Sequence, residues 1–188
     1  MVTTRCRQDG LAGADRALAP AFAAIDFETA DDGPDSACSV AVVRVEQGRI
    51  RETRTQLLRP PRQTFRFTPI HHITWQGVCA EPTFEDAWPR IASALEGAEF
   101  IAAHNAPFDR RVLHACCHAA RLRPPTLPFV CTVEVSRAVW SIYPTKLPDV
   151  CRRLAIPLTH HDATSDATAC ARIVLAALRD GWRPPVAR

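Results

Sequence analysis

AFAAIDFETA, residues 21–30, carries the strand around which the rest of the chain arranges itself. Residues 21–27 are apolar except for Asp26, and so short an apolar run predicts a buried strand. Asp26 and Glu28 stand two apart on it, so both carboxylates leave one face while Phe27 points to the other. Two acids on one strand face make a rigid half-site for hard cations, which prefer oxygen ligands. Taken alone, the pair reads more readily as solvated charge ending a strand.

Moving outward, ACSVAVVRVE at 37–46 predicts a second strand, and Gln47-Gly48 a turn into a third near 50–58. These three segments predict an antiparallel meander. The Pro-rich stretch 60–82 shows little period of either kind and reads as a long loop. Thr83 with Asp86 resembles a capping box, followed by Phe84, Ala87, Trp88, Ile91 and Leu95 at helical spacing. EFIAA at 99–103 predicts a short strand running into HNAPFD.

Asn105 is expected to cap the next helix and Pro107 to sit in its first turn. Phe108, Val112, Ala115, Cys116 and Ala119 mark its buried side, and Pro124-Pro125 ends it. A strand at 128–130 and helices at 132–141 and 147–155 follow. The last helix carries Ala167, Cys170, Val174, Ala177 and Leu178 on one side. Strands first, then alternating helices and strands, predict an α/β fold with one mixed sheet flanked by helices. The expected organisation is a flexible leader over 1–19, a domain over 20–180 and a short tail over 181–188.

With 188 residues the chain suits a single domain with a real core. Hydrophobic residues at 47% and charged residues at 23% are ordinary for a globular protein. No apolar run approaches the ~20 residues that span a bilayer. The N-terminus lacks the apolar segment of a secretory signal, so no membrane contact and a cytoplasmic location are expected. The eight cysteines contain no C-x-x-C pair and read as small buried thiols. A net charge of +3 permits nucleic-acid binding without arguing for it. Lys146 is the sole lysine among 23 basic residues. Arginines fork onto phosphates, yet codon usage in a GC-rich genome explains their number better.

Two further segments bear chemistry. Asp109 opens a helix directly after a strand, where the helix dipole favours a carboxylate and where ligands of α/β sheets tend to bind. His161 and Asp166, in HDATSD, are five apart and cannot share one face of a continuous helix. That spacing puts His161 on the loop and Asp166 in the first turns of the last helix. A loop histidine titrating near neutrality suits a general base. His160 beside it is assigned to solvent or a minor contact.

D-x-E in the first strand, then HNAPFD, then H-x4-D, in this order, is similar to the DEDDh 3′–5′ exonucleases. Within them the chain resembles the epsilon-like proofreading exonucleases of bacterial DNA polymerase. The resemblance runs from about Phe22 to Leu178 and includes PIHHIT and KLPDVCRRLAI. It implies an RNase H-like fold with a five-stranded mixed sheet. It also implies two Mg²⁺ or Mn²⁺ ions on Asp26, Glu28, Asp109 and Asp166, with His161 taking the proton of the attacking water. The implied reaction hydrolyses terminal phosphodiester bonds at a 3′ end of DNA, expected to be single-stranded, and releases nucleoside 5′-monophosphates.

The same resemblance puts Thr29, Ile70, His71 and Phe108 around the terminal nucleotide. Apolar and aromatic surfaces can stack on any base, although core packing explains Phe108 equally well. His72 stands where the family has glycine in its HGIT-like motif, and a turn needing positive φ would strain it. Implied partners are DNA or RNA and a DNA polymerase. An exoribonuclease of the same superfamily and a non-catalytic nucleic-acid-binding module are the alternative readings.

Overall fold

The computed structural model describes residues 19–184. Residues 1–18 of the expected leader and 185–188 of the expected tail lie outside them. Strand β1 (Phe22–Thr29) is central. β2 (Ala37–Glu46) pairs with it antiparallel, β3 (Arg49–Leu57) pairs antiparallel with β2, and β4 (Phe100–Ala103) runs parallel to β1 on its other side. β5 (Phe129–Cys131) pairs parallel with β4, so the sheet order is β3-β2-β1-β4-β5. This is the five-stranded mixed sheet that the resemblance implied.

The local chemistry explains these elements. Gln47 and Gly48 both take positive φ, 50° and 66°, a geometry that matches the twist of a tight hairpin. β1 has strands on both sides and layers on both faces, which is why its run is almost continuously apolar. β3 lies at an edge and alternates between exposed and half-buried residues. β5 starts one residue later than expected, because Pro128 has no N–H to give. Its carbonyl accepts from the Ile101 N–H at 2.9 Å.

The stretch 60–82 is less featureless than its sequence suggests. It holds two single-turn helices, α1 (Thr68–His71) and α2 (Trp75–Val78), too short to display a period. Helix α3 (Phe84–Ala92) begins at the expected capping box, with Thr83 and Asp86 bonded reciprocally. Helix α4 (Ala106–Ala119) is entered differently from the expectation: Asn105 adopts a left-handed φ of 68° and makes no side-chain cap bond. The buried side of α4 is also rotated, with Asp109, Leu113 and Cys117 buried and Ala119 exposed. Helices α5 (Thr132–Trp140), α6 (Leu147–Leu154) and α7 (Ala163–Arg179) complete the chain.

Two cores form on opposite faces of the sheet. Ile25, Phe27, Val40, Val42 and Ile101 pack with α3 and α4. Phe22, Ala24, Val43 and Phe100 pack with α7, whose five expected apolar residues are all buried. Phe22 and Phe100 stack at 5.0 Å between centroids across the β1–β4 pair. Each fully buried large apolar side chain contributes about 1.5–3 kcal/mol of transfer free energy. Trp182 packs against the second core, and its backbone N–H donates to the Ala177 carbonyl. Five of the seven described cysteines are buried thiols. No helix among the described residues is long and apolar enough to cross a membrane.

Candidate active site

The period of β1 sends residues 23, 25 and 27 into one core, leaving Asp26 and Glu28 on the α7 face. The β1–β2 register shifts between Glu28 and Thr29, so regular pairing ends where the acids end. Asp109, in the first turn of α4, is buried, and its Oδ1 accepts from the Phe27 backbone N–H at 3.1 Å. That bond ties the helix to the acidic strand.

Asp166 sits in the first turn of α7 and is also buried. The loop before it is fixed by an Asp162 cap, which accepts from the Ser165 N–H at 2.8 Å. Ser165 Oγ in turn accepts from the Thr159 N–H at 2.7 Å. Asp166 Oδ2 accepts from the His161 backbone N–H at 3.1 Å. Asp166 Oδ1 is buried with no hydrogen-bond partner among the described residues.

Carboxylate oxygens of Asp26, Glu28 and Asp166 come within 4.8 Å of one another. Asp109 lies outside that triad but close enough for its charge to act on Asp26. Burial holds the Asp26 carboxyl well above the usual range, and Asp109, Asp166 and Glu28 add repulsion. Glu28 is pushed up to about 8, by burial first and then by Asp166 and Asp162. Asp109 rises through burial, against the lowering effect of the Phe27 N–H. Asp166 also rises through burial, opposed by His160.

All four acids therefore resist ionisation, and an adjacent positive charge would relieve every one of them. The unpartnered Oδ1 of Asp166 and an oxygen-only triad fit a divalent cation of the hard class. Asp162, which adds charge to this site from the helix cap, went unnoticed in the sequence because an N-cap aspartate is ordinary.

The histidines need one correction. His160, expected in solvent or in a minor contact, places Nδ1 2.8 Å from Asp166 Oδ2. It also stacks on His161 with centroids 3.8 Å apart. Its adjacency to the motif histidine concealed it. His161 is on the loop as expected, with φ 66° and an exposed ring. Burial, then the neighbouring His160, lowers its pKa below the usual value.

The expected nucleotide-contacting residues separate into two kinds. Ile70 is 45% exposed, and Phe108 is half-buried with the Arg111 guanidinium 6.0 Å from its ring. His71 is buried, and its Nδ1 accepts from the Ile73 N–H at 3.0 Å. That leaves Nε2 protonated to donate to the Thr29 carbonyl at 3.1 Å. His71 thus clamps the 60–82 segment to the end of β1, and Thr29 itself is buried. His72 does take φ 61°, closing α1 through its N–H to the Thr68 carbonyl. A second clamp was not foreseen: Arg62 bonds both Asp31 and Asp35 at 2.7–3.0 Å.

Comparison with known proteins agrees with this architecture. The DNA polymerase III PolC-type of Thermotoga petrophila is 27% identical over 158 residues, covering 82% of this chain and 12% of the polymerase. Exodeoxyribonuclease 10 of Escherichia coli K12 is 30% identical over 155 residues, covering 76% of this chain and 63% of that protein. The chain thus spans only a part of these relatives. Exonuclease X, solved in complex with 5′ overhanging duplex DNA, superposes with a TM-score of 0.71 at 26% identity, covering 86% of this chain and 94% of that one. The nuclease domain of 3′hExo, a DEDDh family member bound to rAMP, shares the fold with a TM-score of 0.73 at 20% identity, covering 86% of this chain and 92% of that one. Residues 23–174, from the strand of Asp26 into the helix of Asp166, match the Exonuclease (RNase_T) family, and to that family the chain belongs.

Proposed function

We propose that residues 20–180 form a 3′–5′ exonuclease that hydrolyses the terminal phosphodiester bond of DNA and releases nucleoside 5′-monophosphates. The observation that carries this reading is the approach of Asp26, Glu28 and Asp166 oxygens within 4.8 Å, beside buried Asp109. Asp26, Glu28, Asp109 and Asp166 would hold two Mg²⁺ or Mn²⁺ ions. When bound, such ions activate water and neutralise charge on the scissile phosphate and the leaving oxygen. His161 is neutral at physiological pH, since its pKa is lowered, and so can accept the proton of the attacking water. Asp166 Oδ2 pins the backbone of His161, whose exposed ring stacks on His160.

Ile70 and Phe108 offer apolar surface to the terminal base, and Thr29 meets the 3′-hydroxyl end. His71 acts in this pocket by fixing Thr29, since both its ring nitrogens serve backbone groups. The relatives named as a polymerase and as an exodeoxyribonuclease support DNA as the substrate and a polymerase as a partner.

The test is digestion of single-stranded and 3′-recessed DNA, and of RNA, with Mg²⁺, Mn²⁺ or EDTA. Metal-dependent shortening from the 3′ end is expected, and it should vanish in Asp26→Ala. An RNA rate far above the DNA rate would replace the substrate, and no shortening with any metal would end the catalytic reading.

A further inference from the structure

The pocket proposed for the terminal nucleotide leaves a second flank of the site unaccounted for. A cavity of about 440 Å³ is lined by Asp26, Asp166 and His160 together with Arg137, Thr145 and Lys146. Its outer wall is built carefully. The His104 ring bridges the Thr132 hydroxyl at 2.8 Å and the Thr145 carbonyl at 3.0 Å. Thr145 Oγ1 donates to the Ile142 carbonyl and accepts from Arg137 Nε at 3.0 Å. Beside it stands Tyr143, the only tyrosine of the chain, 70% exposed. The Arg137 guanidinium lies 5.5 Å from the centroid of its ring.

We propose that Tyr143, Arg137 and Lys146 form a platform for the strand upstream of the scissile phosphate, in single-stranded DNA. The proposal rests on the nuclease reading above. A phosphodiester joins two nucleosides, so a phosphate at Asp26 and Asp166 sends one nucleoside to each flank. Ile70 and Phe108, assigned to the terminal nucleoside, do not line this cavity. The upstream strand therefore leaves across it. Its phosphates need cations beside so acidic a site, and Arg137 and the sole lysine supply them. Its bases need a flat apolar face, and an exposed tyrosine backed by a guanidinium is such a face, tolerant of any base.

The experiment uses the full chain with Mn²⁺ and two substrates: a short DNA oligonucleotide and the p-nitrophenyl ester of thymidine 5′-monophosphate. The ester carries no nucleotide upstream of its phosphate. Stacking on an aromatic contributes about 1–3 kcal/mol per base. Tyr143→Ala is therefore expected to raise the oligonucleotide KM about tenfold with kcat within about twofold, and Tyr143→Phe to restore it. Lys146→Ala should flatten the salt dependence of oligonucleotide binding by about 0.7 in log–log slope, the single-strand value for one phosphate. Arg51→Ala, on the far hairpin, controls for lost charge and should leave both substrates unaffected. Tyr143 and Lys146 are exposed, so their truncation does not threaten folding. An unchanged oligonucleotide KM in Tyr143→Ala combined with Lys146→Ala overturns the platform, as does an equal loss on the ester. A wild-type protein that cleaves neither substrate overturns the nuclease reading itself.

Discussion

Replacing Glu28 with glutamine should make the metal-free protein more stable, and only at high pH. The Glu28 carboxyl is raised from 4.5 to about 8. A group raised on folding contributes stability that is complete below its unfolded pKa and lost as pH climbs through the folded value. Here that window runs from about 4.5 to about 8. At 1.36 kcal/mol per pKa unit the full loss would be about 5 kcal/mol. Glu28 is only half-buried, and screening by solvent reduces this to about 2 kcal/mol. Urea titration in EDTA at pH 4 and pH 9 reads it directly. With an m-value of about 2 kcal/mol/M, Glu28→Gln should unfold about 1 M urea later than wild type at pH 9 and within error of it near pH 4. Saturating Mg²⁺ should reverse the order at pH 9, because only the wild type keeps the full ligand set. A variant no more stable than wild type at pH 9, or a difference independent of pH, would refute the electrostatic account of this site.

His161→Gln should lower kcat about 10²–10⁴-fold with the fold intact by circular dichroism. The wild-type rate should fall with acid below pH 6.5, the usual imidazole value from which His161 is lowered, and the variant should lose that limb. His72→Gly should raise stability by about 0.5 kcal/mol, read by thermal melting, since glycine removes the cost of φ 61° but adds unfolded-state entropy. Arg62→Ala should cost about 1 kcal/mol, because its partners are partly exposed. Asp31 and Asp35 are held below the usual carboxylate range by Arg62, so this contribution is present above pH 3.8 and lost as pH falls through their folded values; urea midpoints at pH 7 and pH 2.5 should diverge and then converge.

What could be read from the chain and what could not differ by the range of the interactions involved. The meander was legible because alternation, a Gln-Gly turn and strand length are all local signals, and β2 occupies the expected residues. The capping box at Thr83 was legible for the same reason. Helix α1 and helix α2 were missed because one turn is too short to show a 3.6-residue period. Asn105 defeated a sound propensity argument: the chain needs a left-handed residue between β4 and α4, and asparagine serves that need as readily as it caps. His160 and Arg62 were invisible for another reason. Their partners, Asp166 and the Asp31–Asp35 loop, are distinguished only by tertiary position.

The register of β1 joins fold and site into one constraint. Residues 23, 25 and 27 enter the α3–α4 core, 22 and 24 enter the α7 core, and 26 and 28 continue the second series as carboxylates. A slip of one residue would turn Asp26 and Glu28 toward the α3–α4 core and bring Ile25 and Phe27 to the site. Burying either carboxylate there without a partner would cost several kcal/mol. The acids therefore forbid the register that would strip the site of both carboxylates and bury them in the core. The Asp109 bond to the Phe27 N–H strengthens the choice, because in the slipped register a different N–H would face α4. The cost of burying a carboxylate in the α3–α4 core thus outweighs the repulsion that makes Glu28 a burden at high pH, and it selects the register that leaves Asp26 and Glu28 beside Asp166.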